Sequence, residues 1–244
     1  MTLAAISYQE QTGVWQTPGG KSIGFLYRAD TNDWNTISSC LGTNDEYGLH
    51  GRELHGDVVD IGGYVGSVGI TIAVDHPDAR VLIVEPVPDN AALIERNAAL
   101  NGVSDRVTVF HGAIGPKGTS TSEIRFRYVG DGNLEHHAFV GNTSLAYDGR
   151  GSVQCESADV ETLGLAALLD RFKIGEPSFM KIDCEGGEWP FFETATLAAL
   201  RRLPEIVGEA HPVRGHVASD MAKVLGKTHT VTMLGDWIFR AVRR

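Results

Sequence analysis

Val58-Val59-Asp60-Ile61-Gly62-Gly63-Tyr64-Val65-Gly66-Ser67 is the stretch whose reading decides the fold. Three β-branched residues, Val58, Val59 and Ile61, make a short buried strand. Gly62, Gly63 and Gly66 then form a turn whose backbone can approach a ligand, and Ser67 opens a helix. A dinucleotide fingerprint needs glycines spaced G-x-G-x-x-G. No frame here provides them: Tyr64 takes the second position in one frame and Ile61 the first in another. Asp60 ends the strand with a carboxylate, expected to face the mouth of the helix. That charge repels a pyrophosphate and suits a cation.

A second acid stands at the end of the next apolar run, Val81 to Val84, in Glu85-Pro86. Glu85 follows Gly62 at about the ~20-residue separation that brings an acid to ribose hydroxyls. A ligand with a ribose, a positive charge and no phosphate fits both acids. S-adenosylmethionine, with a sulfonium and an ammonium, is such a ligand. The turn therefore points to a methyltransferase before a nicotinamide-dependent dehydrogenase.

Working outward, strands and helices alternate. Strands are expected over 58–61, 81–84, 107–110, 179–182 and 205–208. Helices are expected over 67–74, from Pro88 to the residue before Gly102, over 189–200 and over 217–225. Alternation of this kind gives a mostly parallel sheet with helices on both faces. Two further runs, 228–234 and 237–242, meet at Gly235-Asp236, a connection too tight for anything but an antiparallel pair. The expected fold class is α/β, a doubly wound Rossmann-like sheet with a C-terminal antiparallel hairpin. This is the class I methyltransferase plan.

Residues 1–50 read as a leader that covers the pocket. It holds a hairpin over 14–27, turning at Pro18-Gly19-Gly20, and a helix over 33–41. Residues 51–244 read as the main domain, and 115–160 as an insertion within it. The insertion carries the β-like run Ile124 to Tyr128 and a Gly- and His-rich loop with His136 and His137. It leaves the carboxyl side of the third strand, where doubly wound folds bind ligands, so it is expected to face the substrate. His137 is a candidate proton acceptor there.

Acids gather again at the ends of the fourth and fifth strands, in Asp183-Cys184-Glu185-Gly186-Gly187-Glu188 and Glu209-Ala210-His211. Neighbouring parallel strands bring Asp183 and Glu209 together. Three readings stand side by side. Asp183, Glu209 and His211 hold Mg²⁺ or Mn²⁺; one of them is a general base without a metal; or the acids cap the following helices. Cys184 reads as a packing residue.

Composition narrows the partners. A chain of 244 residues with 42% hydrophobic content can bury one α/β core. Its 31 acids against 21 bases, a formal charge of −10, disfavour nucleic acid and anionic membranes. Cys40, Cys155 and Cys184 lack C-x-x-C spacing, which reads as reduced thiols. No signal peptide and no run long enough for a span is found, so a soluble, cytoplasmic protein is expected. A homodimer is left open.

Taken together, these residues resemble the FkbM-type methyltransferase family. The matching pieces are Asp60-Ile61-Gly62, Gly66-Ser67, Val84-Glu85-Pro86, Arg96-Asn97 with Asn101-Gly102, Lys181-Ile182-Asp183 with Glu185-Gly186 and Glu188, and Glu209. Arg28, Asp33 and Tyr47 resemble the family's leader. The resemblance spans about residues 25–211. It implies an S-adenosylmethionine-dependent O-methyltransferase acting on a hydroxyl of a sugar, oligosaccharide or other metabolite. The candidate cofactor site, from the residues and the resemblance together, is Asp60, Gly62, Tyr64, Gly66, Ser67, Glu85, Pro86, Gly112, Ala113 and Asp183; Asp183, His211 and His137 are the catalytic candidates from the residues themselves. Members commonly carry alanine-asparagine where Gly63-Tyr64 stand, so Tyr64 is read as a wall at the methionine end. A protein that binds the cofactor without catalysis is the alternative from another class.

Overall fold

The computed structural model describes residues 9–29, 31–115, 119–129, 137–140, 153–184, 187–189, 196–212 and 216–244. For 119, 122–129, 137–140, 153–158 and 196 it describes the backbone alone.

The central sheet is built from β3 (Gly56–Ile61), β4 (Ala79–Glu85), β5 (Val107–His111), β10 (Phe179–Ile182), β11 (Glu205–Glu209), β12 (His229–Met233) and β13 (Ile238–Arg243). Its order is β12-β13-β11-β10-β3-β4-β5. The pairs from β11 to β5 are parallel; β13 runs antiparallel to both β11 and β12. This is the expected class I methyltransferase plan. The hairpin's second strand is inserted between the first and the rest of the sheet.

Both faces are buried, and the strands alternate accordingly. Val58, Val81, Ile83, Phe179 and Val207 point to one face, where α1 (Asp33–Cys40), α2 (Ser67–Asp75) and α3 (Pro88–Leu100) pack. Val59, Ile61, Leu82, Val84, Met180 and Ile206 point to the other, covered by α4 (Leu165–Arg171), α5 (Thr196–Leu200) and α6 (Asp220–Leu225). A strand apolar on both sides belongs in such a sandwiched parallel sheet. Among the described residues no helix is long and apolar enough to cross a membrane.

The leader hairpin, β1 (Glu10–Gln16) with β2 (Ser22–Arg28), lies on the α3 side. Two α3 asparagines dock it by imitating a neighbouring strand. Leu26 donates to Asn97 Oδ1 at 2.7 Å, and Gly24 donates to Asn101 Oδ1 at 3.0 Å. In return Asn97 and Asn101 donate to the Leu26 and Gly24 carbonyls at 3.2 and 2.7 Å. Spacing of four residues sets both amides on one helix face.

Three differences from the sequence reading stand out. Residues 115–160 hold strands of a second sheet, ordered β6-β9-β7-β8, from β6 (Ala113–Gly115), β7 (Thr119–Val129), β8 (His137–Val140) and β9 (Val153–Gly164). Long β7–β9 pairing supplies the backbone partners that an irregular loop would lack. Helix α4 was not expected; Leu165 and Leu168 bury its inner face at helical spacing. Of the helix expected over 189–200, Thr196–Leu200 is described, and 190–195 lie outside the described residues.

Candidate active site

The carboxyl ends of β3, β4, β10 and β11 meet at the point where strand order reverses, between β3 and β10. Ligands of doubly wound sheets bind at such a switch point. There the chain brings together the glycine turn, Glu85, Asp183, Glu209 and His211.

The turn is shaped by the protein itself. Gly62 has φ 83°, and a Cβ there would lie 1.7 Å from the Asp183 carbonyl oxygen. Gly66 has φ 88°, and its Cβ would meet the Ile70 side chain at 2.6 Å. The bareness of these glycines lets the turn close on its own neighbours.

Asp60 meets the first turn of α2, as read, and is buried there. Its carboxylate is 0% exposed and turned inward, accepting from the Gly69 amide at 2.9 Å. Lys181 explains why the charge can stay there. Asp60 and Lys181 are register partners on adjacent strands, so their side chains share a face. Lys181 Nζ lies 3.4 Å from Asp60 and 3.5 Å from Asp183, and donates to the Gly62 carbonyl at 2.6 Å. Burial opposes the charges of Asp60 and Lys181 alike. It raises the Asp60 carboxyl, whereas the two aspartates outweigh it at Lys181 and hold the ammonium above the usual lysine range. Sequence reasoning gave Lys181 no role; a lysine inside an otherwise apolar strand was the available signal.

Glu85 is almost fully buried and accepts three N–H groups. Tyr64 donates at 2.8 Å, Val87 at 3.0 Å and Asn90 at 3.2 Å. Burial pushes its carboxyl up to about 7. A carboxylate offers about four acceptor positions, so one remains for a ribose hydroxyl. Tyr64, at φ 52°, turns its ring toward the leader, with the Arg28 guanidinium 5.7 Å from its centroid. Arg28 is itself held by Asp33 through two nitrogens at 2.8 and 2.9 Å. Ser67 is buried and its hydroxyl donates to Cys40 Sγ at 3.4 Å. Gly112 donates its amide to the Glu85 carbonyl at 3.1 Å, and Ala113 begins the second sheet. Pro86, partly buried, gives its carbonyl to His111.

Asp183, Glu209 and His211, matched from sequence as a ligand set, are brought together: one ligand atom of each lies within 4.8 Å of the others. Asp183 Oδ2 accepts from the Tyr47 hydroxyl at 3.1 Å, while Oδ1 is buried without a hydrogen-bond partner. His211 Nε2 lies 3.3 Å from Glu209, and Nδ1 lies 2.9 Å from Glu188. Glu46, from the leader, completes the acidic surroundings. Burial, with Glu209 and Asp183 adding to it, raises its carboxyl. Glu188 and Tyr47, noted as pieces of the resemblance, were given no role in the site, and neither was Glu46, because no spacing rule links them to Asp183. His136, Glu185 and Gly186 lie outside the described residues, as does the side chain of His137. Cys184 packs against the core as expected.

Comparison with known proteins follows this geometry. Over 67 residues the chain is 36% identical to ribosomal RNA small subunit methyltransferase G of Frankia casuarinae, covering 25% of each. The chain spans about a quarter of the length of the curated relatives it matches. Among solved structures it is similar to the C-terminal domain of precorrin-6Y C5,15-methyltransferase from Rhodobacter capsulatus, at 16% identity and TM-score 0.42, covering 79% of this chain and 82% of that one. It is also similar to an O-methyltransferase from Bacillus cereus in complex with SAH, at 15% identity and TM-score 0.39, covering 77% and 74%. A family model for the methyltransferase FkbM domain matches residues 60–229. That span opens on Asp60, beside the glycine turn, and runs past Glu209 and His211, so both halves of the site fall within it, and the chain belongs to the methyltransferase FkbM domain family.

Proposed function

We propose that the protein is an S-adenosylmethionine-dependent O-methyltransferase whose acceptor is a hydroxyl of a sugar or related small molecule. The observation that carries this reading is the cluster of Asp183, Glu209 and His211 at the switch point, beside the turn and Glu85. When bound, S-adenosylmethionine supplies a methyl group on a sulfonium that departs as a neutral thioether. Glu85 takes a ribose hydroxyl with its remaining acceptor position.

The acceptor's hydroxyl is a weak nucleophile until it loses its proton. His211 is placed to take that proton at Nε2, because Glu188 holds Nδ1. The proton passes to the imidazole, the oxygen–methyl bond forms and the carbon–sulfur bond breaks. Tyr47 and Lys181 fix Asp183, which orients the acceptor.

The same residues fit a divalent cation. Two carboxylates and an imidazole within 4.8 Å, a buried unpartnered Asp183 Oδ1 and a carboxylate behind the histidine match the donor set. Asp183, Glu209 and His211 would hold Mg²⁺ or Mn²⁺, which would acidify and orient the hydroxyl, with His211 Nε2 then a ligand instead of the base. A polyphosphate acceptor fits poorly, since the net charge is −10 and the site is acidic.

The test is transfer of labelled methyl from S-adenosylmethionine to simple methyl glycosides, before and after exhaustive chelation. Label in a glycoside, lost on chelation and restored by Mg²⁺ or Mn²⁺, supports the cation and makes His211 its ligand. Full activity in the chelated sample removes the cation and leaves His211 as base. Failure of S-adenosylhomocysteine to raise the melting temperature would overturn the cofactor assignment.

A further inference from the structure

The acid–histidine cluster has an apolar neighbour that the reading above leaves unused. Trp237 stands in the turn joining β12 to β13, and its carbonyl accepts the Ala210 amide at 2.9 Å. That bond ties the turn to the chain between Glu209 and His211. The indole and the His211 imidazole have centroids 5.8 Å apart. Yet Trp237 is 49% exposed, and Leu234 in the same turn and Met233 at the end of β12 are exposed too. An exposed apolar patch beside a polar cleft marks a contact surface. The patch borders the leader as well, since a Cβ added at Gly48, next to Tyr47, would lie 3.8 Å from Leu234.

We propose that Trp237 is the acceptor platform of this site, stacking the C–H face of a pyranose ring while the ring's neighbouring hydroxyls reach Asp183, Glu209 and His211. The inference deepens the hydroxyl-methylation reading and rests on it. Carboxylates only accept hydrogen bonds, so donors must come from the acceptor. Two adjacent hydroxyls supply them; a phenol offers one. The electron-rich indole face complements the weakly positive C–H face of a sugar, as it does other positively polarised groups. Recognition is thus divided between an apolar plate and a polar rim, and a pyranose carries both surfaces in one small molecule.

Fluorine NMR of protein labelled with 5-fluorotryptophan tests this directly. The chain has four tryptophans, and Trp237→Phe assigns the resonance of interest. The probes are methyl glucoside, galactoside, mannoside and rhamnoside, titrated with S-adenosylhomocysteine present. Saturable movement of the Trp237 signal by at least one glycoside, with Trp15 and Trp34 stationary, is the expected result. No movement at Trp237, an equal response at the half-exposed Trp34, or an equal response to p-methoxyphenol would overturn the platform. For a glycoside that is methylated, Trp237→Ala should raise KM about tenfold with kcat and S-adenosylhomocysteine affinity retained, and Trp237→Phe should restore most of the loss. An unchanged KM in the alanine variant also counts against the platform. A glycoside that shifts Trp237 and receives no methyl group refutes hydroxyl transfer instead, and leaves the platform standing.

Discussion

Glu188 accepts two hydrogen bonds from His211 on a single oxygen, one from the backbone amide at 2.7 Å and one from ring Nδ1 at 2.9 Å. A carboxylate can only accept, so Nδ1 carries the proton toward Glu188, while Nε2 faces the Glu209 carboxylate at 3.3 Å. The amide bond fixes where the histidine stands and the ring bond fixes how it is turned. Glu188 is fully buried, so neither bond competes with water.

Glu188→Gln should therefore act on turnover rather than on the cofactor. Transfer is expected to fall about ten- to hundredfold, the usual effect of losing the carboxylate behind a working histidine. S-adenosylhomocysteine affinity, read by calorimetry, should stay within about twofold. A variant with normal turnover would show that His211 needs no such support.

Gly62→Ala and Gly66→Ala should differ sharply. Both positions have positive φ, which costs an alanine about 1–2 kcal/mol. At Gly66 the new methyl meets the end of the Ile70 side chain, which can swing away; at Gly62 it meets the Asp183 backbone carbonyl, which cannot. Chemical denaturation should show a loss above ~3 kcal/mol for Gly62→Ala and a smaller one for Gly66→Ala. Equal losses would mean that the carbonyl of Asp183 is free to move.

Lys181→Met removes the only cation shown near both Asp60 and Asp183 among the described residues. Breaking a buried pair from one side costs about 3–5 kcal/mol, because the remaining charge is stranded. Adding Asp60→Asn to the same chain should recover part of that loss. The double-mutant cycle measures it, and strict additivity would show that the two groups are not coupled.

Glu85 should make folding stability depend on pH. Its folded-state carboxyl is raised by burial from 4.5 to about 7. The stabilisation that comes from keeping it protonated is complete below 4.5 and is lost as pH rises through about 7. Glu85→Gln removes this slope, so the difference in stability between parent and variant should change between those two values and level off above them. Cofactor affinity should move the opposite way in the parent, rising toward pH 7, because the ionised carboxylate is the better ribose acceptor. A pH-independent difference in stability would place the Glu85 transition elsewhere.

The inner parallel strands β3, β4, β10 and β11 were legible because they carry apolar residues toward two covered faces, and because glycine or an acid marks where each ends. The Asp183, Glu209 and His211 set was legible for a related reason: parallel neighbours align their carboxyl ends. Side-chain direction was not. Asp60 does sit at the helix mouth, but its pairing with Lys181 depends on β3–β10 register, which links residues far apart in the chain. Glu188 was hidden similarly, since it reaches His211 across the gap between two strand ends. Helix α4 escaped notice because its seven residues carry too few turns to establish a period.

Strand β13 occupies the slot between β11 and β12, antiparallel to both. Residues 238–243 must therefore be synthesised before β11 gains its second neighbour. Until then Glu205–Glu209 is an outer strand with one row of amides and carbonyls unpaired, an edge open to other chains. Glu209 sits at the end of that strand, and the Ala210 amide finds its acceptor only when Trp237 arrives. Order of manufacture is thereby built into the topology: the glycine turn and Glu85 can form on a growing chain, but the acceptor half of the site is finished last. A nascent chain can acquire a cofactor-binding half well before it is competent to act on anything.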